Sequence, residues 1–465
     1  MNLFIMYGAA LASVILVVIM LIKKMDIKIT LFGVGMILMY IALAMGNSIA
    51  IKDFASTGTV LLDPLKAVMD EFKSVLPKAG FIILVLGGYS AYMSSIGANE
   101  MTVQTLTKPI KGIKSIYLLV PIVFLVGNLL SLVIPSASNL SIILLATLYP
   151  VLRQAGMSTL TAAAVIATTA TVMPTPLGGD NVAIATELAK YPEFAGLTVT
   201  DYVIKYHAVV SIPVLLIMAV THFFWQKHMD KCHPVLATAD AQIGEVKEIE
   251  GGILFKTVYT LLPVLPILML IVVYFAKIEL SVEVATLLSF IIAIFCELIR
   301  KRNGSEVLKQ TEQFFKGMGN SLPIVALLVS ASVFVLGLKS IGMISSLQEM
   351  MLGIQGAGMG FILPLILVAL TILIVILSGS GTALFYALVP LMVPLAVAAS
   401  ISPIAISIPM GLVGNLMRAV SPVSAVVCIV AGSVKVSPLE VVKRTAVPMI
   451  VGVIVTVVMS LMLFL

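Results

Sequence analysis

Arg418 stands in an otherwise apolar run, three residues before Ser421-Pro422. An arginine carried into a bilayer costs at least ~2.5 kcal/mol, so it is kept for a partner. One partner that suits it is a protein acceptor, a carboxylate or a carbonyl clamped to hold a broken helix. The other is an anionic ligand, because the planar guanidinium matches a carboxylate with two parallel hydrogen bonds. Asp180 is its acidic counterpart in the first half of the chain. Coming after Gly178-Gly179, it suits the cap of a helix over 181–189. Equally, a carboxylate at that depth suits a coupling Na⁺ or H⁺. Glu187 and Glu297 fall nearer the ends of their spans and weigh less.

Both charges sit in polar interruptions of apolar sequence, and four such interruptions occur as two pairs. The first pair is Pro135-Ser136-Ala137-Ser138-Asn139 and Met173-Pro174-Thr175-Pro176-Leu177-Gly178-Gly179-Asp180-Asn181. The second is Ser378-Gly379-Ser380-Gly381-Thr382 and Asn415-Leu416-Met417-Arg418-Ala419-Val420-Ser421-Pro422. Non-helical backbone survives inside a bilayer only where protein buries it or where it lines a wet cavity. Broken helices at corresponding places in two halves point to a transporter's binding site. The substrate-site candidates are therefore Ser136, Ser138, Asn139, Pro174, Thr175, Gly379, Ser380, Gly381, Thr382, Asn415, Arg418 and Ser421. Asp180, Asn181, Asn139 and Asn415 are the candidates for a coupling ion, Na⁺ or H⁺; no other cofactor and no metal is expected. Helices that start at the polar tips, near Asn139 and Thr382, would aim first-turn N–H groups and partial positive charge into the cavity. Two such ends facing each other suit a substrate with two carboxylates. The plainer alternative is that Ser and Gly there only permit tight packing.

The elements that must carry these residues are membrane helices. The chain of 465 residues is 60% hydrophobic and 11% charged, with mean hydropathy +1.16. A soluble domain carries roughly 25% charged residues. The net charge of +6 is spread along the chain, which argues for loops at a membrane rather than for nucleic acid. Cys232, Cys296 and Cys428 imply no disulfide framework, and His228, Cys232 and His233 lack a second ligand pair with zinc-like spacing.

Apolar runs predict spans near 3–22, 29–48, 79–97, 159–189 (broken), 204–225, 256–276, 281–299, 320–340, 403–434 (broken) and 444–465. Residues 3–22 lack a preceding basic segment and read as a retained span. Segments 116–153 and 359–399 are too long for one helix, and each has an uncharged polar tip. They read as re-entrant hairpins, the alternative being two full spans with a tight turn. With the N-terminus outside, nineteen of the 28 Lys and Arg residues, Arg444 among them, fall in inner loops and eight in outer loops. Both termini then lie outside. His222 reads as an anchor at the inner interface beside Trp225 and Lys227.

Ser95-Ile96-Gly97 recurs as Ser340-Ile341-Gly342, 245 residues on (341 − 96), and Pro176 recurs as Pro422. The chain thus divides into a repeat over 1–225, a polar cytoplasmic linker over 226–253 and a second repeat over 254–465. Each repeat has five spans, one of them broken, plus one hairpin. An odd number of crossings inverts the second repeat. Enzymatic readings fail on chemistry. An intramembrane aspartyl protease needs a second mid-span carboxylate, and a serine type needs a base beside Ser378–Gly381, which neither His207 nor His222 supplies. A channel suits a single arginine and opposed hairpins less well than an occluding carrier does.

The chain is similar, over nearly its whole length, to the anaerobic C4-dicarboxylate exporter family DcuC of the ion transporter superfamily. The likeness is carried by Ala91-Tyr92-Met93-Ser94-Ser95-Ile96-Gly97-Ala98-Asn99, His222-Phe223-Phe224-Trp225-Gln226 and Ser378–Gly381. It is strongest over Asn415–Ser424 and Val441-Val442-Lys443-Arg444-Thr445. That resemblance implies a multi-pass carrier of the bacterial inner membrane for succinate, fumarate or malate, typically exporting succinate during fermentation. The superfamily implies a homodimer in which a substrate-holding unit, here the hairpins and broken helices, moves like an elevator against a scaffold. A carrier of an amino acid or another carboxylate in the same superfamily is the rival.

Overall fold

The computed structural model describes residues 2–23, 25–51, 53–113, 115–232, 252–346, 349 and 361–465. Most of the expected linker 226–253 and the first residues of the hairpin 359–399 lie outside the described residues, as does His233. Among the described residues every regular element is a helix, and nine helices are long and apolar enough to cross a membrane.

The first half runs Asn2–Ile22, Ile27–Ala44, Asp63–Val75 continuing into Phe81–Ser95, and a short Ala98–Thr107. A hairpin follows with arms Ile116–Ser131 and Ala137–Thr147, then a broken pair, Thr159–Ala167 and Gly179–Leu188, then the long helix Val199–Cys232. The second half repeats the order: Ile253–Phe275, Val282–Lys301, Glu312–Ser340, hairpin arms Ile362–Ser378 and Gly381–Ala398, broken pair Pro403–Arg418 and Ala425–Ser433, and Pro438–Phe464. The arms Ile116–Ser131, Ala137–Thr147 and Ile362–Ser378 are shorter than a span, whereas Gly381–Ala398 is long enough to count as one.

Several helices exceed their predicted ranges, Pro438–Phe464 by six residues at its start (444 − 438) and three others by more. The span expected at 79–97 begins at Asp63, because Asp63–Val75 runs through a π-helical turn at Leu76–Gly80 into the apolar segment. Its charges, such as the Lys66–Asp70 pair at 2.5 Å, lie on one face, so a running average reads the segment as polar. The span expected at 320–340 is preceded without a loop by Glu312–Gly319. The helix expected at 204–225 reaches Cys232, so the first seven residues assigned to the linker are helical.

One side of that helix end, with Gln226 and Asp230, packs inside the protein. Arg444 is 1% exposed. Its Nη1 donates to Asp230 Oδ1 at 2.5 Å and to Thr161 Oγ1 at 3.1 Å. Ser158, which caps Thr159–Ala167, also donates to Asp230, at 2.8 Å. Arg444 is therefore a buried tie and not a loop charge. It joins the start of the first broken helix to the closing helices of both halves. His222 is likewise fully buried, with its ring 4.9 Å from Phe124, and does not anchor at an interface. Burial of one helix face, which hydropathy averages away, moved both residues inward.

Glu312–Ser340 runs between Ile27–Ala44 and Phe81–Ser95 and packs along both. Glycines make the crossings close. A Cβ on Gly35 would lie 2.6 Å from Val333 O, and one on Gly337 would lie 2.6 Å from Gly35 O. Both obstacles are backbone and cannot swing away. Gly35→Ala should therefore cost about 1–3 kcal/mol through a forced helix shift, read as a lower melting temperature of the purified protein. The second group of helices surrounds Pro403–Arg418, which is buried along almost its whole length against Gly381–Ala398, Ile362–Ser378 and Pro438–Phe464.

Candidate functional site

Each hairpin turns through a short non-helical tip and restarts with a serine cap. Ser136 Oγ accepts from Asn139 N at 3.4 Å, and Ser380 Oγ from Ala383 N at 3.3 Å. The second tip needs glycine twice. Gly379 has φ +75°, and a Cβ on it would meet Val423 O at 2.7 Å; Gly381 lies against the Gly414 carbonyl.

The breaks are built by side chains that replace missing backbone bonds. In the first, Asn128 Oδ1 accepts from Thr171 N at 3.1 Å and Val172 N at 3.2 Å. Asn181 Nδ2 donates to Met173 O at 3.0 Å and Thr175 O at 2.9 Å. Thr175 Oγ1 donates to Leu132 O at 3.1 Å, and Ser421 Oγ to Ile376 O at 2.8 Å. These last two bonds correspond. Each ties a break to the first arm of the hairpin before it, 246 (421 − 175) and 244 (376 − 132) residues apart.

Two further contacts cross between the halves. Asp180 Oδ1 accepts from Asn181 N at 3.0 Å, while its Oδ2 accepts from Asn415 Nδ2 at 3.1 Å. The helix begins at Gly179 with Gly178 as its cap, so Asp180 serves the N-terminus from inside the first turn. Arg418 Nη2 donates to the carbonyl of Ala170, a residue held at φ +58°. Arg418 has no ion-pair partner within 4.0 Å among the described residues.

All four interruptions border one cavity of about 730 Å³. Ser136, Ser138, Asn139, Asp180, Gly379, Ser380, Gly381, Thr382, Asn415 and Arg418 line it. Pro174, Thr175, Asn181 and Ser421 do not, and the last three spend their polar groups on carbonyls as described. Among the described residues that line it, Asp180 and Arg418 are the only charged ones. Its remaining wall comes from the long helices through Ser90, Ser94, Asn320 and Ser321, and from Tyr386 on the second hairpin. These residues were missed. Ser90 and Ser94 at i, i+4 and the Asn320-Ser321 pair inside apolar helices were the available signals. Asn128 was missed as well, since a lone Asn in an apolar run does not reveal which backbone groups it will meet. Glu187 and Glu297 lie elsewhere, paired with Lys190 at 2.6 Å and Arg300 at 3.1 Å. A larger cavity of about 960 Å³ lies between the far end of Gly179–Leu188 and the segment Leu270–Val284. It contains none of the predicted residues, and its lining mixes Lys78, Lys190 and Lys277 with Asp201 and Glu283.

A family model, DcuC, described as C4-dicarboxylate anaerobic carrier, matches residues 8–465. The chain belongs to the DcuC family. An Escherichia coli K12 relative, the anaerobic C4-dicarboxylate transporter DcuC, is 36% identical over 431 residues, covering 92% of this chain and 90% of its own. Such relatives are transporters and not enzymes. Among solved structures, the YdaH transporter of Alcanivorax borkumensis superposes with TM-score 0.66 at 14% identity, over 93% of this chain and 97% of its own. MtrF of Neisseria gonorrhoeae, described with a class of antimetabolite efflux pumps, gives TM-score 0.59 at 13% identity, over 94% and 95%. At such identities the two structures speak for the shared helical fold alone.

Proposed function

We propose that this member of the DcuC family is a secondary transporter of C4-dicarboxylates, with succinate, fumarate and malate as substrates, working by succinate efflux or exchange coupled to H⁺ or Na⁺. The observation that carries the reading is the convergence of two capped hairpin tips and two helix breaks on one cavity, where Arg418 is the sole cation among the described lining residues. Arg418 faces one carboxylate with a planar fork. First-turn N–H groups at Ala137–Ser138 and Gly381–Thr382, which the capping serines leave free, face the anion from the two halves. A volume of about 730 Å³ is ample for a four-carbon diacid. Asp180, bonded to Asn181 and Asn415 and sharing the cavity wall with Asn139, is the candidate for the coupling ion.

The repeated order of elements supports two inverted repeats, with hairpins and broken helices as the moving unit of an elevator-type homodimer. The bacterial inner membrane is the location, with both termini outside. A second reading, a carrier of an amino acid, draws on Asp180, whose carboxylate shares the wall with Arg418 and suits an ammonium group.

Thermal stabilisation of the purified protein separates these readings, because a ligand that binds only the folded state raises the melting temperature. Succinate, fumarate and malate should each raise it, and acetate should not. Dependence on Na⁺ names the ion. A shift with aspartate alone would replace the dicarboxylate reading by the amino-acid one.

A further inference from the structure

Tyr386 sits one turn beyond the second hairpin tip, on Gly381–Ala398. Its side chain is 4% exposed and its ring packs edge-on against Phe385, with centroids 5.0 Å apart. The hydroxyl is held at Gly179, where a Cβ would come within 2.7 Å of Oη. Among the described residues nothing forms a hydrogen bond to this hydroxyl. Nor is it sealed off as those of Tyr92 and Tyr202 are. It borders the central cavity beside Gly179 and Asp180. A hydroxyl left without a protein partner takes one from what fills the cavity. The neighbouring carboxylate already accepts from Asn181 and Asn415. The open position is on the cavity side, where a neutral phenol donates.

The repeat sharpens the point. The capping serines of the two hairpins are 244 residues apart (380 − 136), which pairs Tyr386 with Ile142, an apolar residue 52% exposed. The breaks are offset by 246, which pairs Arg418 with Val172. The first half therefore has no phenol and no guanidinium at these places, and both donors come from the second half.

We infer that Tyr386 is a substrate-contacting residue whose hydroxyl donates to a carboxylate oxygen of the bound anion, an inference that rests on the dicarboxylate reading above. Tyr386→Phe removes one oxygen and keeps the ring packing. Succinate affinity, taken from the concentration dependence of the melting temperature of the full-length protein, should fall roughly 10-fold. Gly179→Ala supplies the second arm. Its methyl displaces the Tyr386 hydroxyl, so it should weaken succinate binding in the otherwise native protein and add little in the Tyr386→Phe background. Unchanged affinity in Tyr386→Phe overturns the assignment, as do equal losses from Gly179→Ala in both backgrounds. If the native protein binds no C4-diacid at all, the dicarboxylate reading fails and the assignment falls with it.

Discussion

Arg418→Ala should lower succinate counterflow in proteoliposomes more than ~100-fold, since truncating one partner of a buried charged hydrogen bond costs 2–5 kcal/mol or more. Two losses combine. The cavity would keep Asp180 and lose the one cation among its described lining residues, so a dianion would meet a wall of the wrong sign. The Ala170 carbonyl, presented by a backbone at φ +58°, would also lose its donor across the two halves. The two roles separate by measurement. If Arg418 only clamps the carbonyl, the variant melts at a lower temperature but still responds to succinate. If Arg418 holds the anion, the response to succinate disappears even in protein that remains folded. Arg418→Lys keeps the charge as a point without the planar fork. It should recover part of the binding and little of the transport.

Arg444→Ala carries the largest expected loss of stability, about 3–5 kcal/mol. Arg444 and Asp230 are 1% and 13% exposed in their side chains and 2.5 Å apart. Removing the cation leaves Asp230, among the described residues, with only the hydroxyls of Ser158 and Thr161. The melting temperature should fall by several degrees while succinate affinity in the folded fraction stays unchanged, because none of these residues lines the cavity. A paired replacement, Arg444→Met with Asp230→Leu, should recover most of the loss, since removing both charges leaves neither uncompensated. A double variant no more stable than Arg444→Ala would show that packing, and not the buried charge, sets the cost.

These two arginines mark what sequence reading resolves. Arg418 stood out because it is alone in an apolar run, and its polar surroundings pointed to a helix break. Arg444 resembled an ordinary positive residue near the end of a span, since Lys443 precedes it and its partner lies 214 residues away. His222 misled in the same way beside Trp225. An average over a window records how apolar a stretch is, not which face of the helix meets protein.

Local composition alone determined the helical membrane class, the two-fold order of elements and roughly where helices break. Polar, glycine and proline residues in apolar sequence can be tolerated at depth only as breaks, and that constraint is local. The tertiary structure decided which polar groups remain available. Thr175, Asn181 and Ser421 have the same chemistry as their cavity-lining neighbours but are consumed by Leu132, Met173, Thr175 and Ile376 carbonyls. Asn320 and Ser321 reach the cavity from a long helix outside the four interruptions, and Tyr386 from one turn beyond the hairpin tip that sequence marked. Hydrogen-bond partners across 40 to 250 residues are set by packing of whole helices, and no spacing along the chain encodes them.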